Sequence, residues 1–185
     1  MRLFVAVTLG SAVEAQASAG IQRLRALAPR ARWVPAANLH LTLSFLGEVE
    51  AQRLPPVMAA LTPVAPAHAP FTLSLQDGGG FGPSTHPRVL WADVKGDTQA
   101  LGALQADVAA ALSPLGFEPE FREYVAHLTL ARSRDPQGDR ELAACVHALQ
   151  GAHWGPARVE RLVLFESLGG RYLPRAELPL SRPPA

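Results

Sequence analysis

Apolar and polar positions alternate with a period of two at the start of the chain and then switch to a helical spacing. Leu3-Phe4-Val5-Ala6-Val7-Thr8-Leu9 is rich in β-formers, and Gly10-Ser11 offers a break and an N-cap. Val13, Ala17, Ile21, Leu24 and Ala28 then share one helical face until Pro29 ends the pattern. A strand followed by a helix that packs on a sheet is the expectation. After a basic connection, Arg30 to Pro35, the residues from His40 to Leu46 read as a strand ended by Gly47. A period of two places His40, Thr42 and Ser44 on one face and Leu41, Leu43 and Phe45 on the other. The apolar face belongs in a core, which leaves the polar face bordering a cleft.

The pattern continues in the same manner. Leu54, Val57, Met58 and Leu61 match a short helix whose first turn tolerates Pro55 and Pro56. Pro63 to Pro70 reads as a connector with a solvent-exposed His68, and Phe71 to Gln76 as a strand. Gly78 to Pro87 reads as a flexible loop leading into a strand from Val89 to Val94. Phosphate-binding glycine loops lead into a helix N-terminus, so this one does not fit that role, and His86 is a loop residue. Asp97 can cap a helix using Leu101, Leu104, Val108 and Leu112. Phe117 to Val125 is extended, Ala126 to Ala131 is a strand, and Asp139 caps a helix through Leu142, Cys145, Val146 and Leu149. His147 lies off the apolar face of that helix and His153 in a turn. Val159 to Glu166 and Tyr172 to Leu180 are the last strands, and Pro183-Pro184-Ala185 should fray.

Composition narrows the class. With 185 residues, 48% of them hydrophobic and 18% charged, the chain reads as soluble and globular, with no targeting segment and a cytoplasmic default. Cys145 is the single cysteine, so no intramolecular disulfide can form, and its apolar neighbours make it a core residue rather than a nucleophile. The net charge of +1 neither demands nor excludes a nucleic-acid partner, so an anionic ligand must meet a local patch.

Candidate chemistry comes from a repeat. His40-Leu41-Thr42-Leu43 recurs as His127-Leu128-Thr129-Leu130, which suggests a site built by two similar halves. As metal ligands the two histidines lack a carboxylate or cysteine at a suggestive spacing. As part of a hydrolase triad they lack a Gly-x-Ser-x-Gly elbow. Acid–base chemistry at phosphorus fits the motif better: one imidazole takes a proton from water while the other gives one to the leaving oxygen. Threonine hydroxyls would bind the non-bridging oxygens, and an arginine would balance their charge. Arg132 is available, but it lies five positions after His127, where a regular strand turns a side chain to the opposite face. Its use requires a bend or bulge after Leu130.

These residues resemble the two-histidine (2H) phosphoesterase superfamily, marked by paired His-x-Thr-x motifs. Arg2 to Val7, Trp33-Val34 leading to His40 through Gly47, Gly80-Phe81 before Arg88 to Trp91, and Ala126 to Arg132 are similar to the RNA 2′,3′-cyclic phosphodiesterases, also called 2′-5′ RNA ligases. Ala126 departs from a position where proline is common. The resemblance implies one bilobal α+β domain over residues 1 to 185, with two pseudo-symmetric antiparallel sheets backed by helices around a central cleft. It implies metal-independent hydrolysis of RNA or nucleotide 2′,3′-cyclic phosphate ends to the 2′-phosphate. From the sequence itself the expectation is a cytoplasmic monomer without cofactor or membrane partner. His40 would be the general acid, His127 the general base, and Thr42, Thr129 and Arg132 the phosphate holders. Two other readings stay open: a non-catalytic RNA- or nucleotide-binding module using Arg30, Arg32, Trp33, Arg122 and Arg132, and 2′-5′ end-joining by the reverse reaction.

Overall fold

The motif strands sit in two separate antiparallel sheets. In the computed structural model, which describes residues 1–118 and 124–182, β1 (Arg2–Val7) and β3 (Leu41–Glu48) combine with β8 (Arg161–Leu168) and β9 (Arg171–Pro179) in the order β3-β1-β8-β9. The second sheet runs β2-β6-β5-β4-β7, made from β2 (Arg32–Trp33), β4 (Phe71–Phe81), β5 (Val89–Gly96), β6 (His127–Arg132) and β7 (His153–Val159). Apart from β2, the orders correspond, with a motif strand first and its antiparallel partner second. The expected α+β fold of two antiparallel sheets with helices is therefore what the chain adopts. The terminal Pro183 to Ala185 lie outside the described residues.

Four α-helices back these sheets among the described residues. α1 (Ser11–Arg25) buries Val13, Ala17, Ile21 and Leu24, the face read from the sequence, and Gly20 brings it against β7. A Cβ at Gly20 would stand 2.4 Å from Trp154 Cζ2. α2 (Leu54–Leu61) carries its prolines in the first turn. α3 (Thr98–Leu112) buries Leu101, Leu104, Val108 and Leu112, and Gln105 Nε2 donates to the Leu43 carbonyl at 3.4 Å. α4 (Arg140–Ala148) starts at Asp139, whose Oδ1 accepts from the Glu141 amide at 2.8 Å. Cys145 is fully buried on it, with its thiol directed to the Leu24 carbonyl of α1 at 3.5 Å. Leu41, Leu43, Leu128 and Leu130, the leucines of the repeat, all belong to one continuous core that joins both sheets. Truncating such a leucine to alanine costs roughly 2–5 kcal/mol.

Several local expectations are corrected. Gly10, not Ser11, caps α1. Asp97 occupies the N-cap position of α3, but its carboxylate accepts from the Thr72 amide of β4. The glycine run is not a loop: Gly78 to Gly80 continue β4 to Phe81. Their missing side chains make room for other groups, since Cβ atoms would meet Leu149 at 2.6 Å from Gly78, Trp91 at 2.4 Å from Gly79 and Pro87 at 2.6 Å from Gly80. His68 is not a solvated bystander, because its side chain is 13% exposed and its Nε2 pairs with Asp107 at 2.8 Å. His153 begins a strand rather than lying in a turn.

Candidate active site

Each motif histidine is held in the same way. His40 lies just before β3, and its Nδ1 is 2.6 Å from the Asn38 carbonyl. His127 opens β6, and its Nδ1 is 2.8 Å from the Val125 carbonyl. A carbonyl only accepts, so both Nδ1 atoms carry the proton and both Nε2 atoms are left for other work. At His40 that Nε2 accepts from the Thr42 hydroxyl at 2.9 Å. The bond two residues back is therefore a duplicated device for fixing the tautomer and aiming the ring.

The strand register explains what else reaches this face. β5 pairs with β6 through Asp93 and His127, Trp91 and Thr129, Leu90 and Ala131, and Val89 and Arg132. Leu130 has no opposite residue, which makes it a β-bulge. Asp93, Trp91 and Val89 alternate regularly along one face of β5, so their partners His127, Thr129 and Arg132 share that face. Leu130 and Ala131 are both buried, as the two-for-one count requires. The bend that Arg132 needed is present.

The first motif carries the same irregularity at the equivalent leucine. β1 pairs with β3 through Ala6 and Thr42, Val5 and Ser44, and Phe4 and Phe45, leaving Leu43 unopposed. This overturns two expected placements. Ser44 leaves the face of His40 and stands opposite Val5 of the core, whereas Phe45 moves onto the face of His40. Phe45 is 61% exposed, and its ring lies 6.2 Å from Phe4. Phe45 and Arg132 thus occupy equivalent positions, each five residues after its histidine and each delivered by a bulge.

Aromatic rings support both histidines. His40 lies 4.9 Å from Phe4 and 5.1 Å from Tyr172, centroid to centroid, with Phe165 stacked on Phe4 at 5.3 Å. His127 meets the edge of Phe81 at 5.0 Å, and Phe81 lies 5.4 Å from Trp91. Phe4 is buried at 4% exposure outside the main core, on the opposite face of β1 from Leu3, Val5 and Val7. From sequence, Phe165 and Tyr172 are not singled out, Phe45 is assigned to the core face, and Trp91 appears only within the strand that carries the family resemblance. The Phe-Leu-Gly that follows the first motif was the one available hint.

The two motifs are joined by β2. Arg32 pairs with Arg132 and Trp33 with Ala131, and the Val34 amide donates to the Leu130 carbonyl at 2.9 Å. The chain then turns through Ala36–Asn38 and enters His40. Asn38 Nδ2 also donates to the Gly170 carbonyl at 2.9 Å, fastening this turn to the hairpin that carries Tyr172. Trp33 packs against the core and its Nε1 donates to the Ala28 carbonyl at 2.8 Å, which makes it a structural residue.

Electrostatics distinguish the two halves. Burial pushes the His40 pKa below its ordinary value, the Asn38 carbonyl partly offsets this, and the Arg132 cation lowers it further. The influence of Arg132 on His40 links the second motif electrically to the first. Burial pushes the Cys145 thiol up to about 11, with Asp139 and Glu141 adding to the shift, so it is a poor nucleophile. His86 bonds Thr85 at 2.8 Å and joins neither histidine. Arg122 lies outside the described residues. Among the described residues, no helix is long and apolar enough to cross a membrane.

Comparison with known proteins agrees with this arrangement. A family model described as the 2′-5′ RNA ligase superfamily matches residues 12–171. A Geobacillus stearothermophilus protein named RNA 2′,3′-cyclic phosphodiesterase is 37% identical over 129 residues, 70% of this chain but 41% of that protein, so the chain spans less than half of its length. An Archaeoglobus fulgidus protein of the same name is 31% identical over 174 residues, covering 91% of this chain and 92% of that protein. Among solved structures, E. coli LigT complexed with 3′-AMP superposes with a TM-score of 0.70 at 28% identity and covers 98% of both chains.

Proposed function

Because the chain belongs to the 2′-5′ RNA ligase superfamily of 2H phosphoesterases, we propose that it hydrolyses RNA or nucleotide 2′,3′-cyclic phosphate ends to the 2′-phosphate. The hydrolase activity rests on relatives that carry the name RNA 2′,3′-cyclic phosphodiesterase. The assignment of residues rests on the duplicated histidine geometry, in which both Nδ1 atoms are tied to carbonyls, so that Nε2 is the atom of each ring left to exchange a proton.

In the proposed reaction His127 Nε2 takes a proton from water as the water oxygen bonds to phosphorus. The bond from phosphorus to O3′ breaks, and His40 Nε2–H gives its proton to O3′. The product carries a 2′-phosphate and a 3′-hydroxyl, and the two histidines end in exchanged protonation states that solvent resets. Thr42 and Thr129 donate to the non-bridging oxygens, and Arg132 balances their charge. The acid needs a proton that burial and Arg132 discourage in the empty site. An anionic phosphate beside Arg132 offsets that cation, so His40 gains its proton as substrate binds. Phe45, exposed on the same face, offers a stacking surface for the base.

The test is turnover of a nucleoside 2′,3′-cyclic phosphate in excess EDTA. The protein should form the 2′-phosphate, and His40→Ala and His127→Ala should each lose roughly 10²–10⁴-fold in rate. No turnover by the wild type, or full activity in either variant, would refute the reading.

A further inference from the structure

Arg32 and Arg132 stand directly opposite one another across the β2–β6 ladder. Directly opposed residues of an antiparallel pair project from the same face, so Arg32 joins the face that already carries His127, Thr129 and Arg132. Like charges in that position repel. Neither guanidinium has a carboxylate within 4.0 Å among the described residues, whereas the nearby Arg30 is paired with Glu141 at 3.3 Å. The repulsion is also held in place: the Val34 amide, two residues on, is tied to β6, and Arg134 Nε donates to the Arg30 carbonyl at 2.8 Å. Two cations carried on directly paired positions of strands whose backbones lie roughly 5 Å apart suit a ligand that brings two negative charges in succession. A nucleoside 2′,3′-cyclic phosphate brings one. An oligonucleotide with that end brings a second, on the phosphodiester that links the terminal nucleoside to the one before it.

We propose that Arg32 and Arg132 form a two-phosphate clamp, with Arg132 facing the reacting phosphoryl group and Arg32 holding the phosphodiester 5′ to the terminal nucleoside. The clamp rests on the hydrolase reading and names its substrate class: oligonucleotide ends in preference to free mononucleotides. Arg32 is then a specificity-determining residue, and its opposition to Arg132 is relieved when the second phosphate arrives.

The experiment compares kcat/KM for adenosine 2′,3′-cyclic phosphate with that for a diadenosine dinucleotide ending in the same group. The wild type should prefer the dinucleotide by roughly 10-fold, the scale of one charge-assisted hydrogen-bonded contact. Arg32→Gln should abolish that ratio, Arg32→Lys should retain part of it, and Arg23→Gln, an equal charge change on the exposed face of α1, should leave it intact. A wild type without preference, or an Arg32→Gln variant that loses the same factor on both substrates, would overturn the clamp. The melting temperature of Arg32→Gln should equal or exceed that of the wild type. A lower value would make Arg32 a residue of the fold and overturn the proposal. Should the wild type hydrolyse neither substrate, the hydrolase reading fails and the clamp is judged by binding alone. For a fluorescent oligoadenylate with a 3′-phosphate, Arg32→Gln should make the slope of log affinity against log salt shallower by about 0.7, one single-strand phosphate contact. An unchanged slope would refute it.

Discussion

Replacing Gly79 by alanine perturbs the site without touching a proposed catalytic group. The new Cβ would stand 2.4 Å from Trp91 Cζ2 and 2.7 Å from Cη2, whereas ordinary contact begins at 3.4 Å. The indole must therefore shift by about 1 Å, and it leans on Phe81, which in turn meets the His127 ring at 5.0 Å. Overpacking of this kind costs about 1–3 kcal/mol. A displacement of about 1 Å at a reacting group can cost on the order of 10²-fold in rate. Gly102→Ala supplies the contrast: it lies inside α3 with nothing within 4 Å of the new Cβ, and the helix should gain about 0.5–1 kcal/mol. The assays are urea unfolding and kcat/KM on a nucleoside 2′,3′-cyclic phosphate for both variants and for Gly79→Ala combined with Trp91→Leu. The double variant should recover stability relative to Gly79→Ala, since the obstructing ring is gone. Wild-type stability and activity in Gly79→Ala would show that the ladder from β4 to His127 is not packed as described.

Other consequences follow from the same contacts. Removing the Arg132 cation in Arg132→Gln should raise the pKa of His40 toward its ordinary value of 6.5, which imidazole NMR signals would report; an unchanged or lower value would mean that the two are not coupled. Because burial keeps the folded-state pKa of His40 below that of the unfolded chain, its contribution to stability is complete above pH 6.5 and is lost as pH falls through the folded value. His40→Asn should therefore flatten the loss of stability on acidification in chemical denaturation. Asp139→Ala should cost about 1 kcal/mol through loss of the α4 cap, with no change in kcat/KM, and a variant as stable as the wild type would remove the cap's importance.

Much of the site was legible because histidine and threonine two apart on a strand need no tertiary context to share a face. The duplicated string therefore placed the candidates His40, Thr42, His127 and Thr129 in two matching pairs, while the helical spacing of Val13 to Leu24 located the buried face of α1. Bulges broke the rule. A period of two sent Phe45 to the core and set Arg132 against the site, yet one unopposed leucine in each motif reversed both. Nothing in Leu43 or Leu130 announces a bulge, since leucine suits a regular strand equally well. The glycines of β4 misled for a different reason. Glycine is ordinarily a strand breaker, but here Trp91, Leu149 and Pro87 occupy the space that side chains would need. β7 was missed because Gly155-Pro156 interrupts its pattern, and as an edge strand it can tolerate the proline. β2 has too few residues for any period to show, although it is the segment that joins the two motifs.

The central proposal is one phosphoryl group between two histidines in opposite protonation states. A crystal structure with inorganic phosphate bound at the site measures it directly. His40 Nε2 and His127 Nε2 should each approach an oxygen of the same phosphate to about 2.6–3.2 Å, with Arg132 beside it. A phosphate reached by one ring alone, or rings too far apart to share it, would contradict paired acid–base transfer.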